Sequence, residues 1–305
     1  MPNSKINNYR WIILALLFFA TTINYIDRQI IGLLKPILEV EFTWTETDFA
    51  HIITAFTAAY AIGLLIVGRL IDKIGTRLGY SLIIIVWSVA GMFHALARNA
   101  LHFIFARIGL GLGESGNFPA AMKTVSEWFP KKEKALATGI FNSGTSVGVV
   151  LALLIVPWIL NHFGWHEVFW ITGGVGFIWL ILWLIFYDLP SKQKRLSSEE
   201  HNLIISGQES GEEMNTVKSA IKWSKLFSFP QTWALIAGKG LIDPIFWFFL
   251  FWLPSYFASA FELDLSRPSL ELMIIYTATT FGSIGGGYFS SYLIKKGWTT
   301  MKARK

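Results

Sequence analysis

A chain of 305 residues that is 53% hydrophobic and only 15% charged is not an ordinary soluble domain, where about a quarter of residues carry charge. It has no cysteine, which excludes a disulfide framework, thiol catalysis and a zinc–cysteine site. Its net charge of +6 does not call for nucleic acid, because the basic residues gather in the segments between apolar runs.

Eight apolar stretches are long enough to cross a hydrocarbon core about 30 Å thick: 11–33, 50–71, 79–97, 101–122, 135–159, 167–187, 231–258 and 269–292. Each is predicted to be helical, because lipid offers no partner for an open backbone. The first is read as a retained helix, since Asp27 and Arg28 follow its apolar start with no small-residue cleavage pattern. With the N-terminus inside, the inward segments hold 19 lysines and arginines and the outward ones only Lys35, Arg98 and Arg267, a bias that predicts a cytoplasmic N-terminus.

Within the first run, the acid and base at Asp27 and Arg28 are costly, each about 2.5–3.5 kcal/mol on insertion scales, unless they face a bundle interior or snorkel outward. Neighbours on a helix point about 100° apart, so the two cannot share one partner. In the fourth run Arg107 and Glu114 lie seven apart, on one face and about 10 Å from each other along the axis. Counted from span ends at 33 and 101, Asp27 and Arg107 share a depth of about 9 Å, while Glu114 lies about 20 Å in. This predicts an Asp27–Arg107 pair across helices, a Glu114 with no equally obvious partner, and an Arg28 turned to the cavity. A guanidinium there suits bidentate capture of a carboxylate. A structural ion network that only fixes packing is the competing reading. Tyr25, Tyr60, Asn142, Ser143 and Thr145 offer neutral hydrogen-bonding groups nearby, for which interhelical packing is an equal use. Gly111, Gly113 and Gly116 spell a dinucleotide-like string, but no strand precedes it, and close helix packing explains it better.

Between the second and third runs the chain reads Gly68-Arg69-Leu70-Ile71-Asp72-Lys73-Ile74-Gly75-Thr76-Arg77. The glycines let a helix end and turn tightly. The ten residues resemble the signature loop of the major facilitator superfamily, Gly-x-Leu-x-Asp-Arg-x-Gly-Arg-Arg, with Lys73 and Thr76 in place of arginines. The resemblance makes Gly68, Asp72, Lys73, Gly75 and Arg77 a candidate gating loop. A degenerate second copy follows Gly287, with Ser291 where the acid would stand. The fold so implied is all-α and integral to the membrane, with twelve helices in two six-helix halves and substrate held between them near the midplane.

Residues 1–187 then form a complete N-terminal half and 188–230 a cytoplasmic linker, in which Ser197 and Glu200 fit a capping box on a solvated surface helix. Residues 231–305 supply only two helices and the start of a basic loop, as if the chain were cut where another span should begin. In helix 7, Lys239 and Asp243 stand four apart before Pro244, either neutralising each other at a kink or offering substrate a second contact.

Asn-Tyr-x-Asp-Arg at residues 24–28, with Arg107, Glu114 and Asn117-Phe118-Pro119, resembles the anion:cation symporter family, which carries organic anions, often sugar acids, commonly with protons. The stretches Asp27–Pro36 and Phe246–Pro254 are similar to hexuronate transporters. The resemblance implies that Arg28, Tyr25 and Tyr60 meet the anion and that Asp27 and Glu114 take protons. The expected activity is proton-coupled symport of galacturonate, glucuronate or a related sugar acid across a bacterial inner membrane, by a monomer without cofactor or metal. A carrier of phosphate or of di- or tricarboxylates, with sodium as an alternative coupling ion, and a non-transporting sensor or inactive fragment are the alternatives. A membrane enzyme is disfavoured: HExxH, Gly-x-Ser-x-Gly and a cysteine nucleophile are all missing, and the six histidines are scattered.

Overall fold

The computed structural model describes residues 7–206, 223–298 and 302. Among them every regular element is a helix. The first seven are α1 (Tyr9–Phe42), α2 (Glu46–Ile74), α3 (Thr76–Phe93), α4 (Ala100–Glu114), α5 (Asn117–Trp128), α6 (Lys131–Phe163) and α7 (Trp165–Phe186). A short α8 (Ser198–Ser206) follows, then α9 (Pro230–Phe251), α10 (Leu253–Phe261) and α11 (Leu270–Lys295). Among the described residues six helical stretches are long and apolar enough to cross a membrane: Tyr9–Phe42, Glu46–Ile74, Thr76–Leu96, Lys131–Phe163, Trp165–Phe186 and Pro230–Phe251. Lys5, Lys218, Lys222, Arg304 and Lys305, counted among the inward basic residues, lie outside the described residues.

Short turns set the serpentine path. Gly75 at φ +87° and Gly164 at φ +107° adopt backbone geometry that other residues resist, so α2 runs into α3, and α6 into α7, through one residue. Ahead of α2, the Thr45 hydroxyl accepts from the Asp48 N–H at 3.2 Å, and the Asp48 carboxylate accepts from the Thr45 N–H at 2.9 Å, closing a capping box. α1 is the central element, packed on α5, α6, α7, α9 and α10, while α4 lies against α2 and α3. Outward faces carry exposed Leu64, Leu65, Ile66, Ile178 and Ile181, an apolar belt suited to lipid.

Three predicted spans differ from expectation: 231–258 is split into α9 and α10 at Trp252, and the other two differences matter for the site. α1 does not stop at residue 33 but continues through Pro36 to Phe42. The predicted 101–122 span is two helices, broken at Ser115–Gly116. Glycine holds a helix poorly, and here it is spent on close approach. A Cβ at Gly111 would stand 2.6 Å from the Phe56 carbonyl oxygen on α2, and one at Gly113 2.6 Å from the Trp87 nitrogen on α3.

The linker helix α8 is not a solvated spacer. Glu200 is buried and accepts from the Tyr9 N–H at 2.8 Å, the Arg10 N–H at 3.2 Å and Arg10 Nη1 at 2.7 Å. The Ser197 hydroxyl accepts from the Glu200 N–H as a capping box requires, but the carboxylate satisfies the open N-terminus of α1 instead of its own helix.

Candidate functional site

The length of α1 decides which charges meet. Arg28 lies 14 residues from the Phe42 end of α1, and Glu114 lies 14 residues from the Ala100 start of α4, so each sits about 21 Å in from the same side. They pair: Arg28 Nε is 2.5 Å from Glu114 Oε2, with side chains 3% and 0% exposed. Asp27 and Arg107, the pair expected from the shorter helix, make no ion pair within 4.0 Å. Among the described residues, all three guanidinium nitrogens of Arg107 and one carboxylate oxygen of Asp27 are buried without a hydrogen-bond partner. Asp27 points away from the Arg28 side, into a cavity of about 120 Å³ shared with Ile155 of α6 and Ile171 and Thr172 of α7. Arg107 lies over the Phe56 ring, 5.6 Å from its centroid.

Four rings close around the Arg28 guanidinium: Tyr60 at 4.5 Å, Tyr25 at 4.7 Å, Trp247 at 5.6 Å and Phe56 at 5.7 Å. Each presents a negative π face to the cation, worth about 0.5–2 kcal/mol where desolvated. The rings come from α1, α2 and α9, so helices from before and after the linker meet at one charge. A polar cavity of about 70 Å³ adjoins it, lined by Thr21, Asn24, Tyr25, Tyr60, Asn117 and Asn142 among others. Asn117 donates to Thr21 Oγ1 at 3.2 Å and accepts from the Tyr80 hydroxyl at 2.6 Å, which fixes its amide. Among the described residues, both side-chain polar atoms of Asn24 are buried without a partner, and so is Glu114 Oε1. Such groups are costly to leave unmet and suit a site that receives a polar ligand.

Of the residues expected at the substrate, Arg28, Tyr25, Tyr60 and Asn142 are brought together. Lys239 is not among them: it is 65% exposed on α9 and paired with Asp243 at 2.8 Å. The loop residues Gly68, Asp72, Lys73, Gly75 and Arg77 gather at the α2–α3 end. Asp72 pairs with Lys123 of α5 at 2.8 Å, Arg77 donates to the Leu184 carbonyl at 2.7 Å and pairs with Asp188 at 3.3 Å, and Lys73 occupies the last turn of α2.

Lys35 was counted only as an outward charge. It is 2% exposed, with Glu39 Oε1 at 2.8 Å, Glu46 Oε1 at 2.7 Å and the Ser255 hydroxyl at 2.9 Å. All three ammonium protons are thereby used, and α10 is tied to α1 and α2 at the end opposite the α2–α3 turn. The Lys35–Glu39 spacing of four was the available signal that α1 continues.

Comparison with known proteins agrees with this architecture. A family model described as Major Facilitator Superfamily matches residues 17–304. A galacturonate transporter of Dickeya chrysanthemi is 32% identical over 284 residues, covering 93% of this chain and 82% of that protein. A hexuronate transporter of Escherichia coli K12 is also 32% identical over 284 residues, and there the match spans 66% of the relative's length. Among solved structures, an inward-facing bacterial homologue of the human lysosomal transporter Spinster superposes with TM-score 0.74 at 19% identity, covering 96% of this chain and 64% of its own. The inward-open xylose transporter XylE of E. coli superposes with TM-score 0.62 at 15% identity, covering 94% and 69%.

Proposed function

The chain belongs to the major facilitator superfamily and is a multi-pass membrane protein, and from that premise we propose that it serves proton-coupled symport of a hexuronate or closely related sugar acid. We place it in a bacterial inner membrane with a cytoplasmic N-terminus, residues 1–187 forming one half, 188–230 the linker and 231–305 part of the second half. The relatives named for galacturonate and hexuronate transport support the substrate class.

The observation that carries the reading is the buried Arg28–Glu114 pair inside a ring of four aromatics. Around Arg28, stacking rings combine with hydrogen-bonding neighbours beside a polar cavity, the combination a sugar acid needs. A substrate carboxylate competes with Glu114 for the guanidinium. Protonating Glu114 removes that competitor, so proton and anion enter as a neutral pair and the buried charge count is unchanged. Asp27, in its separate cavity with Thr172, serves as a second protonation site. Tyr25, Tyr60 and Asn142 supply hydrogen bonds to hydroxyls. Lys239, outside the cluster, enters only as a second cationic contact offered by α9.

A thermal-shift panel of sugar acids, with phosphate, citrate and succinate as competitors, tests the class. Galacturonate or glucuronate is expected to raise the melting temperature and the Arg28→Ala variant to lose the shift. A shift with phosphate or citrate and none with any sugar acid would sink the proposal.

A further inference from the structure

We propose that the groove between α3 and α4 is a binding site for one anionic phospholipid, its headgroup at Arg98 and His102 and one acyl chain along the groove. The groove encloses about 600 Å³ and lies on the outside of the bundle, away from the Arg28 cluster. Its floor is made of small residues, Ala90, Ala106 and Gly109, and its walls of exposed Val86, Val89, Phe93 and Phe105. From Ile85 to Leu96 the α3 side runs about 16 Å, the thickness of one leaflet of a hydrocarbon core about 30 Å across. A small-residue floor between bulky walls accepts a narrow flexible chain; a helix, about 10 Å wide, meets the walls first.

The headgroup end is charged and open. Arg98 is exposed and makes no ion pair among the described residues, whereas Lys35 and Arg267, the other basic residues of the outward segments, are both paired. His102 lines the groove mouth, and its Nδ1 accepts from the Arg98 N–H at 3.3 Å, which leaves Nε2–H to donate. A guanidinium and an imidazole N–H at the mouth of an apolar groove complement a phosphodiester above an acyl chain. Which leaflet supplies the lipid rests on the orientation proposed above; the binding itself does not. Arg107 lies on α4 between the floor residues Ala106 and Gly109, so an occupant bears directly on the helix that carries Arg107 and Glu114.

Native mass spectrometry of the purified protein, titrated with phosphatidylglycerol or phosphatidylethanolamine, tests this. Phosphatidylglycerol is expected to bind at least fivefold more tightly, Arg98→Glu to erase that preference, and Val86→Trp to weaken both lipids by filling the groove. Arg267→Glu, on the same side but off the groove, is expected to bind as the parent does. Should Val86→Trp fail to fold, Val89→Trp replaces it. Equal binding of both lipids, parental behaviour of Arg98→Glu, or a groove shielded by a second copy of the chain in a dimer would each overturn the proposal.

Discussion

Two of the acid–base pairs inside apolar helices of this chain occupy opposite regimes. Arg28–Glu114 joins α1 to α4 at 2.5 Å with side chains 3% and 0% exposed, while Lys239–Asp243 is an i,i+4 pair on α9 at 2.8 Å with side chains 65% and 39% exposed. The chemistry is the same and the surroundings differ. In the first, every alternative partner is a ring or a neighbouring buried polar group, so either charge is expensive to leave alone. In the second, both partners lie exposed on one helix, and parting them leaves no charge in a packed interior. Coupling of one ligand to another needs the first kind, because only there does a change on one partner force a response from the other.

Removing Arg28 is the hardest blow to this contrast. Arg28→Ala strands Glu114 in a buried site, a loss of about 3–5 kcal/mol for a broken buried pair. Thermal unfolding is expected to drop by several degrees and sugar-acid binding to vanish. Arg28→Lys keeps the charge without the planar fork and is expected to recover stability more than affinity. An Arg28→Ala protein as stable as the parent would show that burial does not set the value of the pair.

Glu114→Gln is the next largest. The amide oxygen still accepts from Arg28, so the variant is expected to fold and to bind the anion within a few-fold of the parent. For a proton symporter, uptake into vesicles falls as external pH rises, because fewer protons accompany the anion. In Glu114→Gln that dependence is expected to flatten, with accumulation against a gradient lost. Labelled galacturonate uptake across about pH 5.5–8 reads it, a window that runs to either side of neutral and stays above the usual carboxylate range. Persistent pH-driven accumulation would remove Glu114 from the proton step.

Tyr60→Phe is smaller again. It retains the ring that lies 4.5 Å from the Arg28 guanidinium and removes the hydroxyl. Stability is expected to stay within experimental error and anion affinity to fall by up to roughly tenfold, the net worth of one hydrogen bond. Isothermal titration with galacturonate decides between a stacking role and a donor role for this tyrosine.

The helices were legible in the chain because apolar runs of about 20 residues have one structural solution in lipid. The turn between α2 and α3 was legible because its glycines and acid lie in one short stretch. The pairing of charges was not. Lys35-Pro36 reads as the end of a span, yet Lys35 is satisfied internally by Glu39, Glu46 and Ser255, and α1 runs nine residues beyond the predicted end at 33. That shift moves every depth on α1 by about 13 Å, enough to exchange Arg107 for Glu114 as the residue level with the Asp27–Arg28 step. The break at Ser115–Gly116 was hidden for a related reason: the same glycines serve close packing, and spacing alone does not distinguish a packed helix from an interrupted one. Glu200 shows the limit from another side, since its partner on α1 is 190 residues away.

The exposed pair gives the smallest effect and the cleanest control. Lys239→Met removes an exposed i,i+4 ion pair, worth about 0.3–0.5 kcal/mol where such a pair meets water, and the melting temperature is expected to move far less than in Arg28→Ala. Affinity is read separately from stability here, which it cannot be at Arg28. If Lys239 is a second contact for the anion, Lys239→Met weakens galacturonate binding several-fold while Asp243→Asn, which frees the ammonium, strengthens it or leaves it level. If both variants bind as the parent does, the pair only neutralises two charges on α9, and all the anion chemistry falls to the buried pair. Opposite shifts in the two variants, at unchanged stability, are the signature that a cheaply broken pair has been kept for its ligand.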